Sequence, residues 1–406
     1  MRVAHINVVS GLSTGRVATD ICEVLEELGH RALLCYGRGF PPQGVPSLRV
    51  GSGADVLLHA AGARLFDRAG FYSRGATRRL VRQLALFKPD IVHLHNLHGY
   101  YLDVRTLFAW LREAGVPVVW TLHDSWAYTG HCAYYAMAKC DRWRAGCGRC
   151  PQRRAYPASL WLDQSARNWQ EKRRAFLSLP NLTLATPSLW LGAEVRHSFL
   201  GKRPVRVIPN GVDLERFRPC DEPDLIADVV KRYGLGALDG KRMLLSVAST
   251  WEERKGLKDL LALSGLLRED LAIVMVGLSE RACAALPEGM LGIPRTNSIR
   301  ELRALYTAAD VCLSLSHEET QGMTLLEALA CGTQVLCYDA TALPETVTPE
   351  VGLTVPEGDL QRAANACAAL CDRPRSPQAC RARAQQYEKR AQFARYVGLY
   401  EELYRP

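Results

Sequence analysis

His317-Glu318-Glu319-Thr320-Gln321-Gly322-Met323-Thr324-Leu325-Leu326-Glu327-Ala328-Leu329-Ala330-Cys331-Gly332-Thr333-Gln334-Val335 is the stretch that decides how the chain is read. Ahead of it, Asp310-Val311-Cys312-Leu313-Ser314-Leu315-Ser316 is a short apolar run, the pattern of a strand buried on both faces. Gly322 then opens a segment of good helix formers, with Leu325, Leu326, Leu329 and Ala330 spaced as the inner side of a helix. Gly332 ends that helix, and 334–338 reads as the next strand. The unit is strand, carboxylate-bearing loop, helix, strand. Glu319 falls in the loop and Glu327 about one turn inside the helix. The backbone N–H groups at the helix start, from Gly322 through Met323 to Thr324, lack partners within the helix and offer a place for a phosphate. Carboxylates flanking such a place suit sugar hydroxyls; Glu319 could equally serve only as a favourable charge at a helix N-terminus.

The run resembles the Glu–seven residues–Glu signature of the retaining glycosyltransferases of family 4, and Glu327-Ala328-Leu329-Ala330-Cys331-Gly332-Thr333-Gln334-Val335 is similar to that signature's continuation. The resemblance implies an α/β chain of GT-B architecture: two Rossmann-like, doubly wound parallel-sheet domains facing across a cleft, with a C-terminal helix packing back on the first. It implies that Glu327 holds the ribose of a nucleotide and that Glu319 faces the donor sugar.

A chain of 406 residues is long enough for two domains, each with its own core. With 23% charged and 48% hydrophobic residues it is globular rather than disordered. No apolar run is long enough for a transmembrane helix, and the N-terminus lacks the pattern of a signal peptide. Fourteen cysteines without a secretory signal predict reduced thiols in the cytoplasm. The net charge of +9 is uneven: Arg64, Arg68, Arg74, Arg78, Arg79, Arg82 and Lys88 face only Asp67 among acidic neighbours. Such a stretch suits an anionic membrane surface or a phosphorylated acceptor, or is simply a solvated helix face.

Working outward to the N-terminal half, 2–9 reads as a buried strand, 11–15 as a glycine-containing turn and 17–28 as a helix ended by Gly29, which is the opening of a doubly wound unit. The turn lacks the Gly-x-Gly-x-x-Gly fingerprint, so no dinucleotide site is read there. By resemblance this loop approaches the acceptor and the donor phosphates, making Gly11 and Gly15 donor-binding candidates. His93 and His95 share one face of a strand by its period of two. The family carries a similar pair in a structural place, which favours packing over a metal site. Pro117 to Asp124 is another buried strand ending in a polar pair. It resembles a family Thr-x-His-Asp run whose His lies near the donor sugar, so His123 is the imidazole candidate.

Cys132, Cys140, Cys147 and Cys150 fall within nineteen residues of basic, loop-like sequence. Four thiolates could close a structural tetrahedral Zn²⁺ site, with His131 able to replace one; unlinked thiols and disulfides remain alternatives. A similar Cys-rich insertion occurs in glycosyltransferases of the colanic-acid and exopolysaccharide type. Beyond it, 159–179 reads as a helix, 182–185 as a strand, and Pro209-Asn210-Gly211-Val212-Asp213 resembles the family's domain crossover. The expected domains are 1–205, carrying the insertion at about 130–152, then 206–385, with 386–406 returning to the first.

In the C-terminal half, 243–248 and 271–276 read as strands around a helix over 257–267. Lys255-Gly256 matches the family's Lys-Gly, whose Lys neutralises the diphosphate. The Arg the family usually adds five or six residues earlier is missing, and Arg254 is the candidate to supply the second cation. The resemblance therefore implies a metal-independent, retaining transfer of a hexose from a UDP- or GDP-sugar to a saccharide, plausibly lipid-linked, at the inner face of the cell membrane. Glu319, His123 and Lys255 would act on the sugar and leaving group. Another GT-B activity, an epimerase or a phosphorylase, is the alternative enzyme. A zinc-containing nucleic-acid-binding protein would leave the Glu319–Glu327 unit without a purpose, so no nucleic-acid partner is expected.

Overall fold

The computed structural model describes residues 1–238 and 240–404. They divide into two compact units, Met1–Pro209 with Arg390–Pro406, and Asn210–Lys389.

The first unit is built on seven strands: β1 (Arg2–Val9), β2 (Arg31–Arg38), β3 (Ser47–Arg49), β4 (Ile91–Leu94), β5 (Val118–Thr121), β6 (Leu182–Thr186) and β7 (Val205–Val207). All pair in parallel, in the order β3-β2-β1-β4-β5-β6-β7. Strands of a parallel sheet are covered on both faces, which is why β4, β5 and β6 are buried throughout and read as apolar runs. One face is closed by the last helix, Lys389–Leu403. Its Phe393, Tyr396, Val397 and Tyr400 pack with Val3, Ile21, Leu25, Leu34, Ile91 and Val119 in one buried cluster, as the apolar stripe in the tail predicts.

The second unit has six parallel strands, β8 (Arg242–Val247), β9 (Leu271–Val276), β10 (Met290–Ile293), β11 (Val311–Ser314), β12 (Val335–Tyr338) and β13 (Gly352–Val355), in the order β10-β9-β8-β11-β12-β13. The strand order reverses between β1 and β4 in the first unit and between β8 and β11 in the second. In doubly wound sheets ligands sit outside the strand C-termini at such a reversal.

Two helix starts differ from the sequence expectation. The first helix begins at Leu12 rather than Val17, so Gly15 lies inside it and only Gly11 precedes it. A Cβ on Gly15 would stand 2.7 Å from the backbone carbon of Ser10, so the glycine lets the helix turn tightly off β1. The helix expected from 159 starts instead at Ser165. Asp163 accepts from the Ser165 N–H at 2.9 Å and from the Cys150 N–H at 2.6 Å, which ties the helix start to the cysteine loop and leaves Leu160, Trp161 and Leu162 outside it, exposed.

Candidate active site

Two loops meet at the strand reversal of the second unit, one after β8 and one after β11. They approach so closely that a Cβ on Gly256 (φ +75°) would lie 2.1 Å from the Leu315 carbonyl oxygen. Only glycine fits there, for both space and backbone conformation. The His317 N–H bonds to the Arg254 carbonyl at 2.9 Å, and an Arg254 guanidinium nitrogen donates to the Glu318 carbonyl at 2.8 Å. The rest of that guanidinium grips Glu252 at 2.6 and 3.0 Å. Arg254, expected as a second phosphate cation, thus acts in this structure as a strut between the loops.

Lys255 Nζ meets Glu319 Oε1 in an ion pair whose side chains are a quarter exposed or less. Glu319 is fixed from its backbone: its N–H bonds to Thr341 Oγ1 at 2.9 Å, and that hydroxyl donates back to the Glu319 carbonyl at 3.0 Å. The following helix, Met323–Ala330, has Gly322 at its N-cap with no side-chain cap. The Met323 N–H bonds to the Gln321 carbonyl at 3.0 Å, which leaves the N–H groups of Gly322 and Thr324 to begin a helix whose first turn carries no acidic side chain. Five positions in, Glu327 accepts from the Tyr306 hydroxyl at 3.0 Å. Tyr306 is buried, and burial first, then the Glu327 charge, push its phenol well up, so it stays a donor. Gln321 holds the turn at Asn210 through two bonds, accepting from its N–H at 2.8 Å and donating to its carbonyl at 3.1 Å.

Of the predicted residues, the structure brings Lys255, Arg254, Glu319, Gly322, Met323, Thr324 and Glu327 into this one constellation. Tyr306, Thr341 and Gln321 went unread. Gln321 sits inside the signature, whereas nothing in the residue pattern around Tyr306 or Thr341 marks either of them.

His123, Gly11 and Gly15 belong to the first unit, again at strand C-termini. Gly11 has open space where a Cβ would go; Gly15 has none. His123 follows β5 and is buried. Its Nε2 lies 3.1 Å from His95 Nδ1, and His95 Nε2 lies 3.2 Å from His5 Nδ1, so three imidazoles form a hydrogen-bonded row across β1, β4 and the end of β5. His93 is beside the row, bonded to Tyr400 at 2.6 Å and Thr121 at 2.7 Å. Burial pushes His123 down to about 4, partly opposed by the charge of Asp124, and His5 down to about 3. These rings are neutral at pH 7. Asp124 is held by His98 at 2.7 Å and by the Trp126 N–H at 2.9 Å.

Known proteins resemble this chain over most of its length. Residues 14–216 match the family described as Glycosyltransferase Family 4, and 232–387 the one described as Glycosyl transferases group 1. A colanic acid biosynthesis glycosyl transferase of Escherichia coli, WcaC, is 24% identical over 75% of this chain and 73% of its own. A GDP-mannose-dependent alpha-mannosyltransferase of Mycobacterium tuberculosis is 28% identical over 85% of this chain and 81% of its own. Among solved structures, sucrose-phosphate synthase from Thermosynechococcus elongatus superposes with a TM-score of 0.71 at 18% identity, covering 99% of this chain and 98% of that one. Anabaena HepE in complex with UDP-glucose gives 0.66 at 13%, covering 99% of each.

Proposed function

Because the chain belongs to glycosyltransferase family 4, we propose that it transfers a hexose from a UDP- or GDP-sugar to a lipid-linked saccharide in the building of a cell-surface polysaccharide, with retention at the anomeric carbon and without a catalytic metal. The observation that carries this reading is the Lys255–Glu319 pair beside the open helix start at Gly322, with Glu327 one turn further on. A nucleoside diphosphate sugar needs a cation and free N–H groups for its diphosphate, and carboxylates for its hydroxyls. All three lie together at the strand reversal of the second unit.

In this mechanism the anomeric carbon–oxygen bond to the diphosphate breaks as a bond from the acceptor oxygen forms on the same face. The acceptor's proton leaves with the diphosphate. Lys255 and the N–H groups of Gly322 and Thr324 stabilise the charge that develops on the leaving group, which is where fixed positive dipoles contribute most. Glu319 orients the sugar, and Glu327, held by Tyr306, receives the ribose hydroxyls. His123, a neutral ring, is a hydrogen-bond partner for the sugar rather than a charge. Relatives named for UDP-glucose and for GDP-mannose make those two donors the first to try.

The lipid-linked acceptor is favoured by a surface of the first unit. The helix Gly53–Phe66 exposes Leu57, Leu58, Leu65 and Phe66. Leu160 bonds to the Arg64 carbonyl at 2.8 Å, which sets exposed Leu160, Trp161 and Leu162 against the same helix. Arg64, Arg74, Arg78, Arg79 and Arg82 are exposed close by in sequence. Apolar side chains among arginines suit an anionic bilayer surface. Among the described residues, no helix is long and apolar enough to cross a membrane.

The test is a binding screen of UDP, GDP, ADP and CMP and their sugars, by calorimetry, on the parent chain and Glu327→Ala. One nucleotide that binds the parent and binds the variant far more weakly is expected. Failure of every nucleotide to bind the parent would overturn the reading.

A further inference from the structure

Apart from His123 at its start, sugar transfer leaves the loop between β5 and the helix Ser165–Leu177 without a purpose. Residues 122–164 contain no strand and only a single 3₁₀ turn, Arg142–Arg144, and loops of such length are ordinarily functional or disordered. This one has a centre. Cys132, Cys140, Cys147 and Cys150 are all unlinked, and all four line one small pocket together with His131. The Gly130 N–H points at Cys147 Sγ at 3.1 Å, a contact that favours a thiolate.

Two buried groups at this pocket lack what they need. His131 is held through Nδ1 by Asp67, while its Nε2 is buried with no hydrogen-bond partner; such an orphan atom asks for an explanation. Lys172 is 1% exposed; its ammonium donates to the carbonyls of Trp126 (2.7 Å) and Thr129 (3.1 Å) and lies 3.4 Å from the centre of the Trp126 ring. No carboxylate pairs with it within 4.0 Å among the described residues, and burial pulls its pKa down to about 7. A buried cation without a counter-charge is costly. Negative charge on the sulfurs would satisfy both groups.

We propose that Cys132, Cys140, Cys147 and Cys150 bind a Zn²⁺ ion as thiolates and that this ion orders the loop. On binding, the four thiols release their protons to solvent and the metal keeps its oxidation state. The resulting centre carries two negative charges, offset by Lys172, and His131 Nε2 supplies an outer hydrogen bond to a thiolate, with Asp67 fixing the ring from behind. His131 and Cys132 are neighbours in the chain, so the four sulfurs rather than the imidazole fill the tetrahedron.

Among the described residues it is His5, His93 and His95, not the cysteines, whose ligand atoms all lie within 4.8 Å of one another, yet that group suits a metal less well. His5 Nε2 is buried without a partner there too, but the other nitrogens already bond one another, His123, Tyr400 and Thr121. An ion there would have to break bonds inside a sheet. The sulfurs are more widely spread than these nitrogens, but they stand on a loop free of strand pairing that can draw in around the ion.

The full-length protein, purified under reducing conditions without added metal, is analysed by inductively coupled plasma mass spectrometry. Zinc equimolar with the chain is expected, lost in Cys147→Ser and in Cys150→Ser. Because those variants could fail to fold, the parent chain is also stripped with a chelator and reloaded with Co²⁺. A tetrahedral d–d spectrum with strong thiolate charge-transfer bands is expected, together with a rise in melting temperature. A parent chain that carries no zinc and gives no thiolate bands with Co²⁺ overturns the proposal, as does zinc that stays equimolar in both serine variants. Neither readout depends on sugar transfer.

Discussion

Single side chains separate binding from chemistry at the candidate site. Glu327→Ala removes hydrogen bonds to a charged acceptor, worth about 1.5–3 kcal/mol, so nucleotide affinity should fall by roughly 10- to 100-fold. Lys255→Ala should cost turnover instead, by about 10²–10³ in kcat, with circular dichroism unchanged. Equal kcat in parent and variant would take Lys255 off the leaving group. Tyr306→Phe tests the partner of Glu327: losing one neutral donor costs about 0.5–1.5 kcal/mol, so the nucleotide Kd should rise several-fold without loss of kcat. Glu319, Glu327 and Lys255 were legible because they sit in contiguous motifs. Tyr306 was not, because it reaches Glu327 from another helix, and a hydroxyl at the end of an apolar stripe looks like core. Arg254 shows the converse: its charge could be read, but its commitment to Glu252 and the Glu318 carbonyl depends on how two loops meet.

At the level of elements, the sheets were readable for a plain reason. Parallel strands are covered on both faces, so they appear as unbroken apolar runs between turns. Element starts were less so. The residues at 160–162 continue a helix-like apolar pattern, yet they are exposed and precede the helix that Asp163 anchors. The outward stripe of the helix Gly53–Phe66 carries its own consequence. Leu57→Glu with Leu58→Glu should abolish sedimentation with vesicles containing anionic phospholipid while leaving nucleotide affinity unaltered; retained sedimentation would remove this helix as the membrane contact. Gly256→Ala belongs to the same level, since it drives two loops apart. A loss of about 1–3 kcal/mol in urea unfolding, with loss of turnover, is expected from its positive φ and its 2.1 Å clash.

For the molecule as a whole, the buried imidazoles set a limit on acid stability. His5, His93, His95 and His123 are neutral when folded because burial depresses them, while an unfolded His takes up a proton near pH 6.5. Below that value the unfolded chain binds more protons than the folded one, so stability falls as pH falls, by up to about 1.4 kcal/mol per pH unit for each ring. For His123 the loss runs down to about pH 4, and for His5 to about 3. Urea unfolding at pH 7.5 and 5.5 should show a lower midpoint at the lower pH. An unchanged midpoint would mean that these rings are not buried neutral.

The route of the chain adds a matter of timing. Val212 and Glu388 bridge in parallel, and a Cβ on Gly211 would stand 2.3 Å from the Lys389 backbone, so the segment Asn210–Lys389 starts and finishes at the same spot. On the ribosome this segment has all its residues before the earlier unit does. The apolar face over β1 and β4 waits for Phe393, Tyr396 and Tyr400, which are made only after that whole segment. At ordinary rates of synthesis the wait is roughly 10–40 s. A nascent chain stalled anywhere in that interval would leave this apolar face uncovered, the kind of surface that chaperones hold.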